Sequence, residues 1–256
     1  MNIFVLLKRT FDTEENIVIA NDTIDDSNAE FIINPYDEYA VEEAVSLRDE
    51  HGGEVTVVTA DDEEAEKQLR TALAMGADRA VLIETDDLDE IDSSSIAFLL
   101  ASYLKDQDYD LIIGGNISVD NGSGQVGPSI AEHLGIPQVT TITKITVEDG
   151  KATLVRDVEG DEETIEASLP LLVTAQQGLN EPRYPSLPGI MKAKKKPIET
   201  LDLDDLSIDE DDAEAKTEVT DISLPPPKST GIILEGDAKD VVAQLISNLK
   251  EKENIL

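Results

Sequence analysis

Over its first 115 residues the chain alternates short apolar runs with segments of helical period, and few folds accept that order. Asn2 to Leu7, Glu54 to Thr59, Ala80 to Glu84 and Leu111 to Gly114 have the β-branched, apolar character of buried strands. Between them Ala40, Val41, Ala44 and Leu47 recur at helical spacing. So do Ala65, Leu69, Ala72 and Leu73, and then Ile96, Leu99, Leu100, Tyr103 and Leu104. Phe31 to Ile33 leads into Asn34-Pro35, which reads as a cap and a first helical position, with Asp37 and Glu38 at the positive end of the dipole. Gly52-Gly53 and Gly76 stop the first two helices. The pattern predicts an α/β fold: a parallel sheet wound with right-handed crossovers and helices on both faces. Ligands of such sheets bind beyond the carboxyl ends of the strands, so the loops after Leu7, Ile33, Thr59 and Gly114 are the ones to search.

After Leu134 the style changes. Val139 to Val147, Ala152 to Val158, Glu163 to Ala167 and Leu171 to Ala175 are β-like runs joined by turns such as Glu148-Asp149-Gly150 and Glu159-Gly160-Asp161, which predicts an antiparallel extension of the sheet. From Gln176 the chain turns irregular and Pro-rich, with an acidic run at Asp202 to Glu214 and Pro225-Pro226-Pro227, and this stretch does not look able to form a core of its own. Its last segment, Ala238 to Lys250, sets Val241, Val242, Leu245, Ile246 and Leu249 on one stripe. That helix either docks on its own domain or lies as an arm on a partner subunit. The expected division is an α/β body over 1–222 and a C-terminal arm over 223–256.

Charge narrows the function. Asp and Glu number 56 against 20 Lys and Arg, a net charge of −36. A field this negative repels nucleic acid and anionic lipid headgroups, and its spread along the chain reads as the solvation trait of a salt- or alkali-adapted host. No run approaches the ~18 apolar residues of a membrane span, and Lys8 and Arg9 follow the first apolar run rather than precede it, so the expected location is the cytoplasm. Cys is absent, which excludes thiolate nucleophiles and iron–sulfur or zinc-thiolate sites. His51 and His133 each sit beside a helix end, and no nucleophile elbow or His-Glu-x-x-His pair occurs. A binding or carrier protein fits better than a hydrolase.

Two stretches carry the chemistry. The first is the Gly-rich loop from Gly114 to Pro128, between a strand and a helix, where free amides and the helix dipole favour a phosphate. Gly122, Gly124 and Gly127 spell G-x-G-x-x-G, but too far beyond the strand for a dinucleotide fingerprint; a surface turn without a ligand is the alternative. The second is Asn180 to Lys196, in which Tyr184, Leu187, Ile190 and Met191 stand between three prolines and four lysines crowd into 192–196. It reads as a stiff loop offering apolar knobs, or as a loop packed on its own domain with its lysines held by surrounding acid.

At these places the sequence resembles the β subunits of electron transfer flavoproteins. The matching pieces include Leu7-Lys8-Arg9, the run from Asn34 to Ala44, the run from Arg70 to Asp78, and Asn180 to Tyr184 continuing through Ile190 to Lys196. The resemblance implies an adenine nucleotide α hydrolase-like fold and a heterodimer whose α subunit holds the redox FAD while this subunit buries AMP. It implies electrons arriving from acyl-CoA or related dehydrogenases and leaving toward a membrane quinone oxidoreductase, with no membrane insertion of the carrier. It places AMP near Leu6, Asn34, Pro35, Asp37, Ala60, Gly115, Asn116, Asp120, Asn121, Gly122 and Ser123, with Gly124, Gln125 and Val126 at the phosphate. Val126 replaces a Thr of many relatives. Tyr36 matches an aromatic beside the flavin, and Asp157 an acid that steadies the mobile flavin domain. Arg183, Tyr184, Leu187, Pro188, Ile190, Met191 and Lys192 match a recognition loop, with Leu187 as the knob entering a pocket on the dehydrogenase. Two further readings stand beside this one: an electron-bifurcating flavoprotein with a second FAD in the AMP site, and a free-standing adenine-nucleotide sensor of the universal-stress type, which has no use for a docking loop.

Overall fold

The structure, a computed structural model, describes residues 1–20, 23–88, 90–228 and 230–251. Strand β1 (Asn2–Leu6) is followed by β2 (Arg9–Phe11), the antiparallel pair β3 (Val18–Ala20) and β4 (Thr23–Asp25), and β5 (Phe31–Ile33), which pairs back on β2. Then come α1 (Pro35–His51), β6 (Glu54–Asp61), α2 (Glu66–Met75), β7 (Arg79–Glu84), α3 (Ser93–Leu104), β8 (Leu111–Gly115) and α4 (Val126–Leu134). The second half holds β9 (Gln138–Glu148), β10 (Lys151–Val158), β11 (Asp161–Ser168), β12 (Leu171–Ala175), α5 (Leu187–Ala193), β13 (Glu199–Leu201) and α6 (Ala238–Glu251). Among the described residues, no helix is long and apolar enough to cross a membrane.

Nine strands form one sheet in the order β11-β10-β9-β12-β8-β1-β6-β7-β13. The seven from β9 through β12 to β13 run parallel, and β10 runs against its two neighbours β9 and β11. Because side chains alternate across a strand, both faces must be apolar for such a sheet to be covered twice. In β1, Ile3 and Val5 enter the core beneath α1 and α2, whereas Phe4 and Leu6 enter the core beneath α3 and α4. The same division holds in β7, where Ala80 and Leu82 face one side and Val81 and Ile83 the other.

Two expectations need correction. Leu171 to Ala175 does not belong to the antiparallel extension: β12 lies parallel between β9 and β8, and all five residues are buried. Its unbroken apolar run is the mark of a central strand, and the chain returns inward after the β10–β11 hairpin. The acidic run adds Leu203, Ile208 and Ala213 to the core on the α3 side of the sheet, while the carboxylates between them stay in water. The irregular stretch after Gln176 also contains α5 and the edge strand β13, which pairs with β7. In the C-terminal helix the predicted stripe keeps Val242, Leu245 and Ile246 exposed.

Candidate functional site

At the carboxyl ends of β1, β6 and β8 lies a cavity of about 340 Å³, within the usual range for small-ligand pockets. Leu6, Ala60, Ile96, Leu100 and Val126 give it apolar walls, and the loop from Gly114 to Gly127 forms one side. Gly124 adopts φ +62°, a left-handed conformation that a side chain disfavours. Gly127 lets α4 approach β12, since a Cβ there would stand 2.9 Å from the Thr174 methyl.

Helix α4 begins at this cavity. Its cap position is Gln125, which has no side-chain capping bond. Among the described residues the amides of Gly124, Gln125, Val126 and Gly127 have no protein acceptor. Such amides, with the positive end of the helix dipole behind them, suit a phosphate. Val126 brings no hydroxyl, but Ser123 does, 3.2 Å from the Ser93 hydroxyl across the cavity wall. Asn121 braces the loop by accepting from the Ser118 hydroxyl and the Ser123 amide, both at 3.0 Å. An apolar slot ending in exposed amides fits an adenylate by the chemistry of its donors and walls.

The charged and amide side chains around the cavity mostly hold the loops together. Asn34 holds the cap position of α1 but makes no side-chain capping bond: its amide donates to the Ile117 carbonyl at 2.8 Å and to Asp37 at 3.1 Å, and its oxygen accepts from the Val119 amide. Asp37 accepts from the backbone amides of Lys8 at 2.7 Å and Gly115 at 2.8 Å. Burial pushes its carboxyl up to about 7, against the pull of those donors. Asp120 pairs with Lys8, linking the Gly-rich loop to the loop after β1; its carboxyl is lowered because the Lys8 and Ser118 bonds outweigh its burial. Arg9 lies 4.5 Å above the Phe31 ring and pairs with Asp61, Asp62 and Glu64.

Of the predicted contact residues, Leu6, Asn34, Asp37, Ala60, Gly115, Asn116, Asn121, Ser123, Gly124, Gln125 and Val126 all line this one cavity. Pro35, Tyr36, Asp120 and Gly122 stand beside it, outside the lining. Sequence reasoning missed Ile91, Asp92 and Ser93, which close the cavity from the loop after β7. The available signal was the Asp-Ser-Ser-Ser run: Asp92 caps α3, accepting the amides of Ser94 at 2.8 Å and Ser95 at 3.0 Å in a capping box.

The second predicted site is a platform held at both ends. Before α5, Asn180 donates to the Tyr39 carbonyl and to Glu43, and Arg183 forms a bidentate pair with Glu42 at 2.7 and 2.9 Å while its amide donates to the same carboxylate. Burial acts against the Glu42 anion, yet the Arg183 bonds leave its pKa lowered. After α5, Arg70 donates to the carbonyls of Ala193 and Lys196, and Lys196 reaches the Ala77 carbonyl at 2.6 Å. Ser186 caps α5, and Gly189 permits close contact with α2, where a Cβ would stand 2.6 Å from the Ala74 carbonyl oxygen. What this frame presents outward is Tyr184 at 95%, Leu187 at 80% and Met191 at 61% exposure, with Pro188, Ile190 and Lys192 exposed around them. Arg183 thus belongs to the frame. Asp157 lies elsewhere, exposed near the end of β10 and opposite Glu162.

Comparison with known proteins gives the family. Residues 22–206 match the model of the electron transfer flavoprotein domain. Over the full length of both chains the sequence is 60% identical to the electron transfer flavoprotein subunit beta of Bacillus subtilis. It is 39% identical to the subunit of that name from Syntrophomonas wolfei, covering 98% of this chain and 96% of the relative, and 39% identical over full lengths to that of Thermoanaerobacterium thermosaccharolyticum. With a wound, mostly parallel α/β sheet, a strand-end cavity and a domain match spanning most of its length, the chain belongs to the electron transfer flavoprotein family.

Proposed function

We propose that this chain is the β subunit of a heterodimeric electron transfer flavoprotein that buries AMP at its strand-end cavity and receives dehydrogenases on the 183–192 loop. The family makes it an electron-carrier subunit, not a stand-alone catalyst. One observation supports the nucleotide reading above others: the same cavity joins an apolar slot at Leu6, Ala60, Ile96 and Leu100 to the amides of Gly124 to Gly127, which have no protein acceptor among the described residues. A purine suits the first and a phosphate the second.

In this reading FAD, held mainly by the α subunit, supplies the redox chemistry. The residues here bind, orient and place. Tyr36, half-buried at the start of α1, lies on the flavin side of the loop cluster, and exposed Asp157 steadies the mobile flavin domain. Leu187 is the apolar anchor for an acyl-CoA or related dehydrogenase, because a transient yet oriented encounter needs one desolvated knob within a polar surround. Electrons leave toward a quinone oxidoreductase. The body spans 1–222, and the arm over 223–256 lays the exposed stripe of α6 on the α subunit.

Calorimetric titration with AMP tests the nucleotide assignment. Gly124→Ala forces a side chain into the left-handed region at a cost of about 1–2 kcal/mol, so it is expected to weaken AMP about tenfold. Equal affinity in both proteins would move the phosphate away from this loop.

A further inference from the structure

One carboxylate joins the cavity wall to the root of the C-terminal segment. Asp92 uses its two oxygens for different partners. Oδ1 accepts the Ser94 and Ser95 amides and so starts α3, while Oδ2 accepts the amides of Lys216 and Thr217 and the Thr217 hydroxyl, all at 2.9 Å. Among the described residues no helix or strand lies between 214 and 237, so this anchor sits between the core and α6 (Ala238–Glu251). Asp92 and Ser93 also line the cavity, and the Ser93 hydroxyl lies 3.2 Å from that of Ser123 in the Gly-rich loop. Cavity wall, helix start and segment root therefore meet at one residue.

We propose that Asp92 is a positioning residue that pins the C-terminal segment at Lys216–Thr217 and couples that pinning to occupancy of the cavity. The coupling rests on the adenylate reading; the pinning does not. A ligand packed against residues 91–93 stabilises the closed arrangement of the α3 start, and anything that binds the closed form suppresses its opening. By reciprocity, releasing the root weakens the ligand by the same factor.

The Lys216–Thr217 peptide bond is itself a readout. Lys216 is exposed, but the amides on both sides of its α-carbon are held by Asp92, so trypsin must wait for the root to open. Asp92→Ser keeps an α3 cap, because serine is a good capping residue, but its hydroxyl is too short to hold 216–217. In the full-length chain, cleavage at Lys216 followed by mass spectrometry is expected to accelerate about tenfold in Asp92→Ser, as for loss of hydrogen bonds to a charged group. Thr217→Val, which leaves the cap untouched, should give a smaller acceleration and guards against misfolding of the first variant. AMP should slow cleavage in the wild type and have little effect in Asp92→Ser.

Unchanged cleavage in both variants would overturn the pinning. Equal protection by AMP in wild type and Asp92→Ser would overturn the coupling. If AMP binds none of the proteins, the nucleotide reading and the coupling fall together, while the cleavage rates without AMP still decide the pinning.

Discussion

The Asp37 carboxylate accepts the Gly115 amide at 2.8 Å, and this contact joins the first turn of α1 to the carboxyl end of β8. The other oxygen takes the Lys8 amide, so the loop after β1 is tied in as well. Three of the loops that wall the cavity thus share one buried acid. Gly115 has no room for a side chain, because a Cβ would lie 2.7 Å from the Tyr36 Cβ and closer still to Asp37.

Asp37→Asn puts an amide donor where a backbone donor already points. Leaving buried groups unsatisfied costs about 1–3 kcal/mol, so chemical denaturation should show a loss of that size with little change in m-value. A stability equal to wild type would mean that the loops are held by other contacts.

The same residue predicts a pH response. Burial raises the Asp37 carboxyl to about 7 in the folded protein, and it raises Glu38, Glu43 and Asp61 in the same direction. The folded state therefore binds more protons than the unfolded chain between about pH 4 and pH 7, and stability falls as pH rises through that window. Self-repulsion from a net charge of −36 acts in the same sense and is screened by salt. Denaturant midpoints from pH 4.5 to 7.5 should decline, and the decline should be shallower in Asp37→Asn. Added salt should raise the midpoints without removing the difference between the proteins.

Leu187→Ala removes the most prominent aliphatic knob of the 183–192 platform. With 80% exposure Leu187 contributes little to folding, so thermal stability should hold. The rate of electron arrival from an acyl-CoA dehydrogenase should fall about tenfold or more, the usual size for a central interface anchor, with FAD content of the heterodimer unchanged. An unaltered rate would remove this loop from recognition.

Glu42→Gln tests the frame beneath that platform. Glu42 is nearly buried and holds Arg183 by side chain and backbone. Its pKa is lowered in the folded protein, so its contribution is present above the ordinary carboxylate range and fades as pH falls through the lowered value. The variant should lose about 1–3 kcal/mol at neutral pH and dock dehydrogenase more weakly through the loosened platform. Hydrogen exchange of residues 183–190 would report the loosening; unchanged exchange would count against the frame.

The parallel core was legible because β1, β6, β7 and β8 are apolar on both faces and the helices between them have strong period and clear stops. The Gly-rich loop was legible because its position after a strand and before a helix carries the chemistry. What escaped depends on distant partners. The apolar run at Leu171 to Ala175 marks a buried strand but does not name its neighbours β9 and β8, and β13 is a strand only because β7 has a free edge. Asn34 has the composition of a cap, but Ile117 and Val119 compete for its side chain. Arg183 looks like a docking residue until Glu42, 141 positions away, claims it. Leu203, Ile208 and Ala213 were hidden among carboxylates, where average composition masks three buried contacts.

Coexpression with an α subunit, followed by extraction and identification of the nucleotides in the purified complex, tests the central claim most directly. A stable heterodimer containing one FAD and one AMP is the predicted result. Two FAD would assign the cavity to a bifurcating flavoprotein, and a solitary chain carrying ATP, or nothing, would contradict the account.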